Sequence, residues 1–474
     1  MELFYKVESK PEFSKLIVLA LQQLLAIMAA TIAVPAIIGH GMSPSAALFG
    51  AGVGTLVYLL FTKFKSPVFL GSSFAFLGSM SAAFAGAATI GLTENVGFIG
   101  LVLGAILAGL VYVVLALIVK SVGTNWISKL MPAVVIGPTV AIIGLSLAGN
   151  AVGDLGSGSF EATNFYAALV CGLVTLFVTI ICSVFGKKMF KMIPFVIGIL
   201  AGYALASIFT VIGVATGADA LKVIDFSGFT TLGTVEAWVP DFTFIKAIKG
   251  FGELNGAGDF FTVLGQAAVA YVPVAFVVFA EHIADHKNLS TIIEKDLLED
   301  PGLDKTLLGD GVGSMAGAFF GGCPNTTYGE SIGCVAISGN ASVVTILTTS
   351  IMAIVISFIG PFSIFLATIP PCVMGGVCIA LYGFIAVSGL KMLQGVDLGD
   401  NRNLFVVSVI LIAGVGGLAL NIAGVVTITE VACALILGIL VNTVVRLKKD
   451  DSNEQATKEV ATEEASETYE ENQE

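Results

Sequence analysis

The sequence predicts an all-α polytopic membrane protein with fourteen transmembrane segments, arranged as two inverted repeats of seven spans. Three observations carry this expectation. Of 474 residues, 56% are hydrophobic and 12% charged, with a mean hydropathy of +0.96, whereas a soluble domain carries about 25% charge. Apolar runs recur from Leu16 to Val445, many of them about 20 residues long, enough to cross a bilayer about 30 Å thick. Lysine and arginine fall between the runs in a regular alternation. Segments of about ten alternating residues, the mark of an outer-membrane barrel, do not occur in the sequence.

The spans follow in order. Met1–Lys15 is mixed polar, and the first apolar run continues to Ile38; this predicts no cleavable signal. The first seven spans are expected at 14–36, 45–62, 67–85, 97–119, 130–148, 162–185 and 190–213. The polar interval 214–259 contains Asp219, Asp225, Glu236, Asp241, Glu253, Asp259 and Trp238, and predicts an external lid or surface hairpin. The second seven are expected at 260–284, 306–322, 324–340, 342–360, 363–384, 402–420 and 424–445.

Cytoplasmic loops carry the excess of basic residues. With the N-terminus inside, only Lys222, Lys246 and Lys249 of the 22 basic residues fall on the outer side. Both termini are therefore expected in the cytoplasm, and the chain in the plasma membrane. Seven spans per half, an odd number, put the halves in opposite orientation, the plan of many secondary transporters. The residues from 449 to 474 are acid-rich and read as a disordered, solvated cytoplasmic tail.

The third and tenth spans are interrupted at matching places. One opens Ser66-Pro-Val-Phe-Leu-Gly-Ser-Ser-Phe-Ala-Phe76 and the other Cys323-Pro-Asn-Thr-Thr-Tyr-Gly-Glu330. Proline and glycine disfavour continuous helix. Irregular backbone at membrane depth is tolerated where it lines a cavity or is buried in protein, and paired interruptions in two halves point to a transport site. Gly309, Gly313, Gly317 and Gly321 recur every four residues, a smooth stripe for close helix packing.

Two acids stand inside this apolar chain. Glu281 ends the run Tyr271–Ala280, and Glu330 lies within the second interruption. A carboxylate at membrane depth costs about 2.5–3.5 kcal/mol on insertion scales and is usually functional. Asp285 shares a helix face with Glu281, four residues on. Two readings are open for it: a proton-passing acid near the mouth, or a solvated helix-end acid. His282 and His286, on the neighbouring face, read first as interfacial polar residues, and His40 as a loop residue. Asp310 reads as an early-turn acid favoured by the helix dipole. Glu430 faces an outer vestibule, bonds another helix, or sits at a boundary drawn too early.

Other classes are disfavoured. The seven cysteines form no close CxxC pair and there are three histidines, so neither a disulfide framework nor a metal site is expected. No GxxxxGK[ST] pattern occurs, so nucleotide hydrolysis has no support. An ion gradient is the natural energy source, and no enzyme activity or cofactor is expected. A passive facilitator, an anion carrier and a membrane sensor are the competing classes; acids facing a site would repel an anion.

Phe279-Ala-Glu-His-Ile-Ala-Asp285 and Pro324-Asn-Thr-Thr-Tyr-Gly-Glu-Ser-Ile-Gly333 closely resemble signature segments of the bacterial uracil permeases. These are proton-coupled members of the nucleobase–cation symporter family, also called nucleobase–ascorbate transporters. Gly71-Ser-Ser-Phe-Ala-Phe76, Met374-Gly-Gly-Val377, Glu294–Leu298 and Asp300-Pro-Gly302 are similar to that family as well. The resemblance covers Phe13–Lys448.

The resemblance implies short extended strands in spans three and ten, a core domain of spans 1–4 and 8–11, and a gate domain of spans 5–7 and 12–14. In residue terms, 1–148 holds spans 1–5, 149–213 spans 6–7, 260–360 spans 8–11 and 361–448 spans 12–14. It implies a substrate site of Phe74, Glu281, Tyr328, Gly329 and Glu330, with uracil and close pyrimidine analogues as substrates, no nucleic-acid partner, and a homodimer in membrane lipid. Glutamate at 330, where purine-transporting relatives commonly have glutamine, favours uracil over xanthine or another purine. Proton coupling is assigned to Glu281, Asp285 and His286. Some relatives have histidine where this chain has Asp285, so either Asp285 takes that role or coupling rests on Glu281. Sodium, held by oxygens such as those of Asn325 and Thr326, is the competing coupling ion.

Overall fold

Long apolar stretches with few internal breakers become helices, and the Pro- and Gly-rich intervals become the breaks. The structure, a computed structural model, describes residues 3–124, 126–127, 131–187, 190–191, 193–422 and 426–446. The predicted acidic tail, together with Lys129, Lys188, Lys448, Lys449 and Lys458, lies outside the described residues. The first half runs α1 (Phe13–Ile38), α2 (Pro44–Phe61), β1 (Leu70–Ser72), α3 (Leu77–Thr89), α4 (Glu94–Val122), α5 (Ala133–Ser146), α6 (Ala148–Asp154), α7 (Phe165–Phe185) and α8 (Pro194–Thr216). The interval read as a lid holds three short 3-10 turns and the helix α9 (Thr243–Phe251). Next come α10 (Ala257–Ile293), α11 (Leu303–Gly321), β2 (Asn325–Thr327), α12 (Gly329–Ser338), α13 (Val343–Ile356), α14 (Gly360–Ala367) and α15 (Pro371–Lys391). The chain closes with α16 (Asn401–Val415), β3 (Leu420–Ile422), β4 (Val426–Ile428) and α17 (Glu430–Val445).

Among the described residues, eight helices are long and apolar enough to cross a membrane, or nine if the bent pair α13–α14 forms one span. The protein is therefore an integral membrane protein built mainly of helices. The interruptions in the third and tenth expected spans are the two strands. β1 and β2 pair antiparallel, with Gly71 opposite Thr326, and each runs on into a short helix.

Three boundaries differ from the sequence reading. The span expected at 363–384 covers the end of α14 and most of α15, because α14 stops at Ala367 and the chain restarts at Pro371, where proline favours a helix start; α14 itself is bent by 85° from α13. The last span begins at Glu430 rather than 424, since β3 and β4 form a hairpin before it. Glu430 is thus a first-turn residue behind the capping hydroxyl of Thr429, which selects the third of its three readings. The eighth span is 37 residues long, about 55 Å at 1.5 Å per residue, and projects well beyond a bilayer core.

The glycine stripe has a partner. α11 lies along α2 so closely that a Cβ at Gly54 would come 2.7 Å from the Gly313 carbonyl oxygen, and one at Gly321 2.7 Å from that of Ala46. This packing holds the strand pair from below: the Asn325 side-chain amide donates to the Gly50 carbonyl at 3.2 Å, and the Asn325 backbone amide to Ser314 Oγ at 3.0 Å.

The loops form two groups of contacts. One joins His40 to Glu94 at 2.9 Å, Lys246 to Asp241 at 2.6 Å and Asn95 to Glu253 at 2.8 Å. The other joins Lys65 to Asp300 at 2.6 Å, Glu8 to Lys295, and Tyr5 to Asn340 through a β-bridge. The first holds the residues expected outside, the second those expected inside.

Candidate functional site

The strand pair leaves two helix starts side by side. Phe74–Phe76 forms a 3-10 turn leading into α3, and α12 starts at Gly329. First-turn amides have no acceptor within their own helix, so these starts present donors to whatever lies before them. Side chains around the strands fix the arrangement. Thr55 bonds both backbone groups of Leu70, at 2.9 and 3.2 Å. The amide of Phe69 donates to Ser331 Oγ at 3.0 Å, and Gln23 donates to the same oxygen at 2.6 Å. The Tyr328 hydroxyl crosses to the Ser72 carbonyl at 2.7 Å.

In front of these starts is a cavity of about 360 Å³. Phe74, Glu281, Tyr328, Gly329 and Glu330, the five residues expected around the substrate, all line it, as does Asp285. On α10 the lining positions are Glu281, Ala284, Asp285 and Asn288, the i, i+3, i+4, i+7 pattern of one helix face. Glu281, Asp285 and Glu330 are half-buried, and Phe74 and Tyr328 are buried. Asp285 accepts a hydrogen bond of 2.8 Å from the Thr327 hydroxyl, which ties it to β2. The opposite wall comes from Val140 and Ile143 of α5, Phe195 of α8, and Phe384 and Ser388 of α15. Phe74 also meets Tyr382 of α15 edge-on, with ring centroids 5.7 Å apart. Lys191 is the one basic residue of the lining.

The cavity can hold a small planar polar molecule. Its acids accept hydrogen bonds when ionised, its helix starts donate them, and its aromatics offer flat apolar contact. Among the described residues, no group of three or more His, Cys, Asp or Glu side chains could hold a metal ion.

The two histidines differ from the sequence reading. His282 and His286 are not interfacial: they are 0% and 1% exposed. His286 does not line the cavity; its Nε2 is 2.7 Å from the Tyr58 hydroxyl and its Nδ1 donates to the His282 carbonyl at 2.8 Å. Asp310 is not an early-turn acid at a helix end. It is 1% exposed, in the middle of α11, with Oδ2 2.7 Å from His282 Nδ1. Its Gly-flanked position in a smooth stripe hid this, because the stripe showed close packing but not the partner across it.

Two broken elements, paired through their strands, thus meet at an acid-lined cavity within an integral membrane protein. The fold agrees with solved transporters. The transmembrane domain of the cyanobacterial bicarbonate transporter BicA aligns with a TM-score of 0.59 at 15% identity, covering 94% of this chain and all of that one. The murine anion transporter Slc26a9 in an inward-facing state aligns with a TM-score of 0.62 at 12% identity, covering 92% of this chain and 69% of that one. At such identities only the fold is shared.

The chain belongs to the permease family whose profile, Xan_ur_permease, matches residues 14–422; it is a transporter and not an enzyme. The uracil permease of Bacillus caldolyticus is 40% identical over 443 residues, which span 92% of this chain and 93% of that protein. The uracil permease of Bacillus subtilis (strain 168) is 38% identical over 440 residues, covering 91% and 93%. That of Escherichia coli (strain K12) is 35% identical over 444 residues, covering 93% and 94%.

Proposed function

We propose that this protein takes up uracil across the plasma membrane, coupled to protons, by alternating access of one central site. The observation that carries this reading is the shared cavity of Glu281, Glu330, Phe74 and the Tyr328–Gly329 backbone, in a chain up to 40% identical to uracil permeases. Uracil is flat and neutral, with two N–H donors and two carbonyl acceptors. Glu281 and Glu330 take the N–H edges, the amides at Phe74 and Gly329 take the carbonyls, and the aromatic rings of Phe74 and Tyr328 pack against the base.

Fourteen crossings fit the elements. To the eight long spans are added the strand–helix units β1–α3 and β2–α12 and the helices α11, α13, α16 and α17. Read as two inverted repeats, the core domain (spans 1–4 and 8–11) supplies the acids and strands, and the gate domain (spans 5–7 and 12–14) supplies the opposite wall. The cavity reaches Lys191 and Asn288, on the lysine-rich side, which supports cytoplasmic termini and an inward-facing state. Glu281 and Asp285 carry the coupling proton, and no cofactor takes part. The protein works as a homodimer joined through gate helices, a state measurable as particle mass in mild detergent.

Competition against radiolabelled uracil uptake tests the substrate. Unlabelled 5-fluorouracil is expected to compete strongly, while xanthine and adenine leave uptake unchanged. Strong competition by xanthine with none by 5-fluorouracil would make this a purine carrier.

A further inference from the structure

Each cavity-lining acid of α10 is followed by a histidine: Glu281 by His282, Asp285 by His286. Successive residues on a helix stand about 100° apart. The acids therefore face the cavity while the histidines turn toward α2 and α11. Both nitrogens of both rings are engaged there. His282 Nδ1 is 2.7 Å from Asp310 Oδ2 and its Nε2 3.0 Å from Thr306 Oγ1. His286 Nδ1 donates to the His282 carbonyl, and its Nε2 meets the Tyr58 hydroxyl at 2.7 Å. That hydroxyl is also 2.7 Å from Ser66 Oγ, and Ser66 opens the segment leading into β1. The two rings lie against each other, with centroids 4.0 Å apart.

From this geometry we infer that His282 and His286 are positioning residues: a buried polar seam sets the rotation of α10 about its axis and so aims Glu281 and Asp285 at the cavity. The inference rests on the uracil-transport reading above. Apolar contacts are non-directional, and an apolar face would let the helix turn. Hydrogen bonds weaken steeply off-axis, and a buried partner left unmade is costly. Turning α10 by one residue would break the bonds to Asp310, Thr306 and Tyr58 together. The seam also removes His286 from the proton path. Its Nδ1 is taken by the His282 carbonyl and its Nε2 by the Tyr58 hydroxyl, which itself donates to Ser66 Oγ, so no ring nitrogen opens to the cavity. The other ionisable groups packed at the seam are Asp310 and Tyr112, whose ring meets His282 edge-on at 6.2 Å; Glu281 and Asp285 lie on the far side of the same helix.

The test is direct uracil binding and the pH profile of uptake in Tyr58→Phe, His286→Ala and His286→Gln. Tyr58→Phe removes one oxygen and keeps the ring, so it remains informative if His286→Ala fails to fold. Tyr58→Phe and His286→Ala are expected to weaken uracil binding about tenfold, with the wild-type pH profile retained. His286→Gln, whose terminal amide reaches toward Tyr58, is expected to restore most of the affinity. Unchanged affinity with a lowered melting temperature would reduce the seam to packing and overturn the inference. A shifted pH profile at unchanged affinity would make His286 a proton carrier and overturn it as well. If the wild type binds no uracil, the transport reading falls and the inference with it; if it binds and the variants bind equally, the inference alone falls.

Discussion

Glu281→Gln is expected to abolish concentrative uracil uptake, by at least about 100-fold, the lower range for losing a positioned proton-transfer group. The substitution keeps the side chain's size while removing the titratable proton. Glu281 is suited to the coupling step by position: it is half-buried on the cavity face of α10, with Asp285 one turn nearer the lysine-rich side. A carboxyl that gains a proton facing one side and loses it facing the other links substrate movement to the gradient. Exchange of bound for free uracil needs no net proton movement, so it should survive better than uphill uptake. Measuring both in vesicles with equal protein separates the two. Concentrative uptake by Glu281→Gln at the wild-type rate would remove Glu281 from coupling.

Glu330→Gln is expected to act on affinity. Glu330 stands in the first turn of α12 and lines the cavity, where an anion is favoured by the helix dipole; in the proposed site it takes an N–H edge of uracil. Glutamine replaces one acceptor oxygen by a donor group. Hydrogen bonds to charged groups are worth about 1.5–3 kcal/mol, so uracil should bind about 10- to 100-fold more weakly. Equilibrium binding to purified protein reads this without the transport cycle. Wild-type affinity in this variant would assign the N–H edge to other groups.

Much of this site was legible in the sequence because charge is expensive in a membrane. Glu281 and Glu330 stood out as carboxylates in apolar surroundings, and both line one cavity together with Asp285, for which the sequence left two readings open. The proline and glycine interruptions at 66–76 and 323–330 became the paired strands for the same reason: broken backbone at depth needs partners, and β1 and β2 supply them to each other. Phe74, Tyr328 and Gly329 came from resemblance, since aromatic and glycine residues are too common in this chain to stand out.

What the sequence hid depends on packing across elements. His282 and Asp310 are 28 residues apart and bond at 2.7 Å; neither carries a mark of the other. The wall formed by Val140, Ile143, Phe195 and Phe384 consists of ordinary apolar residues, and only topology brings them opposite the acids. β4 fell inside the span expected at 424–445 because a short run of Val, Ile and Thr satisfies strand and membrane helix alike.

The most direct test of proton-coupled uracil transport uses purified protein in proteoliposomes, with radiolabelled uracil outside and an imposed proton gradient, acidic outside. Uracil is expected to accumulate inside above the external concentration, and a proton uncoupler is expected to collapse the accumulation to equality. Equilibration at the same rate with or without the gradient would identify a passive facilitator, and accumulation that follows sodium and ignores the uncoupler would contradict proton coupling.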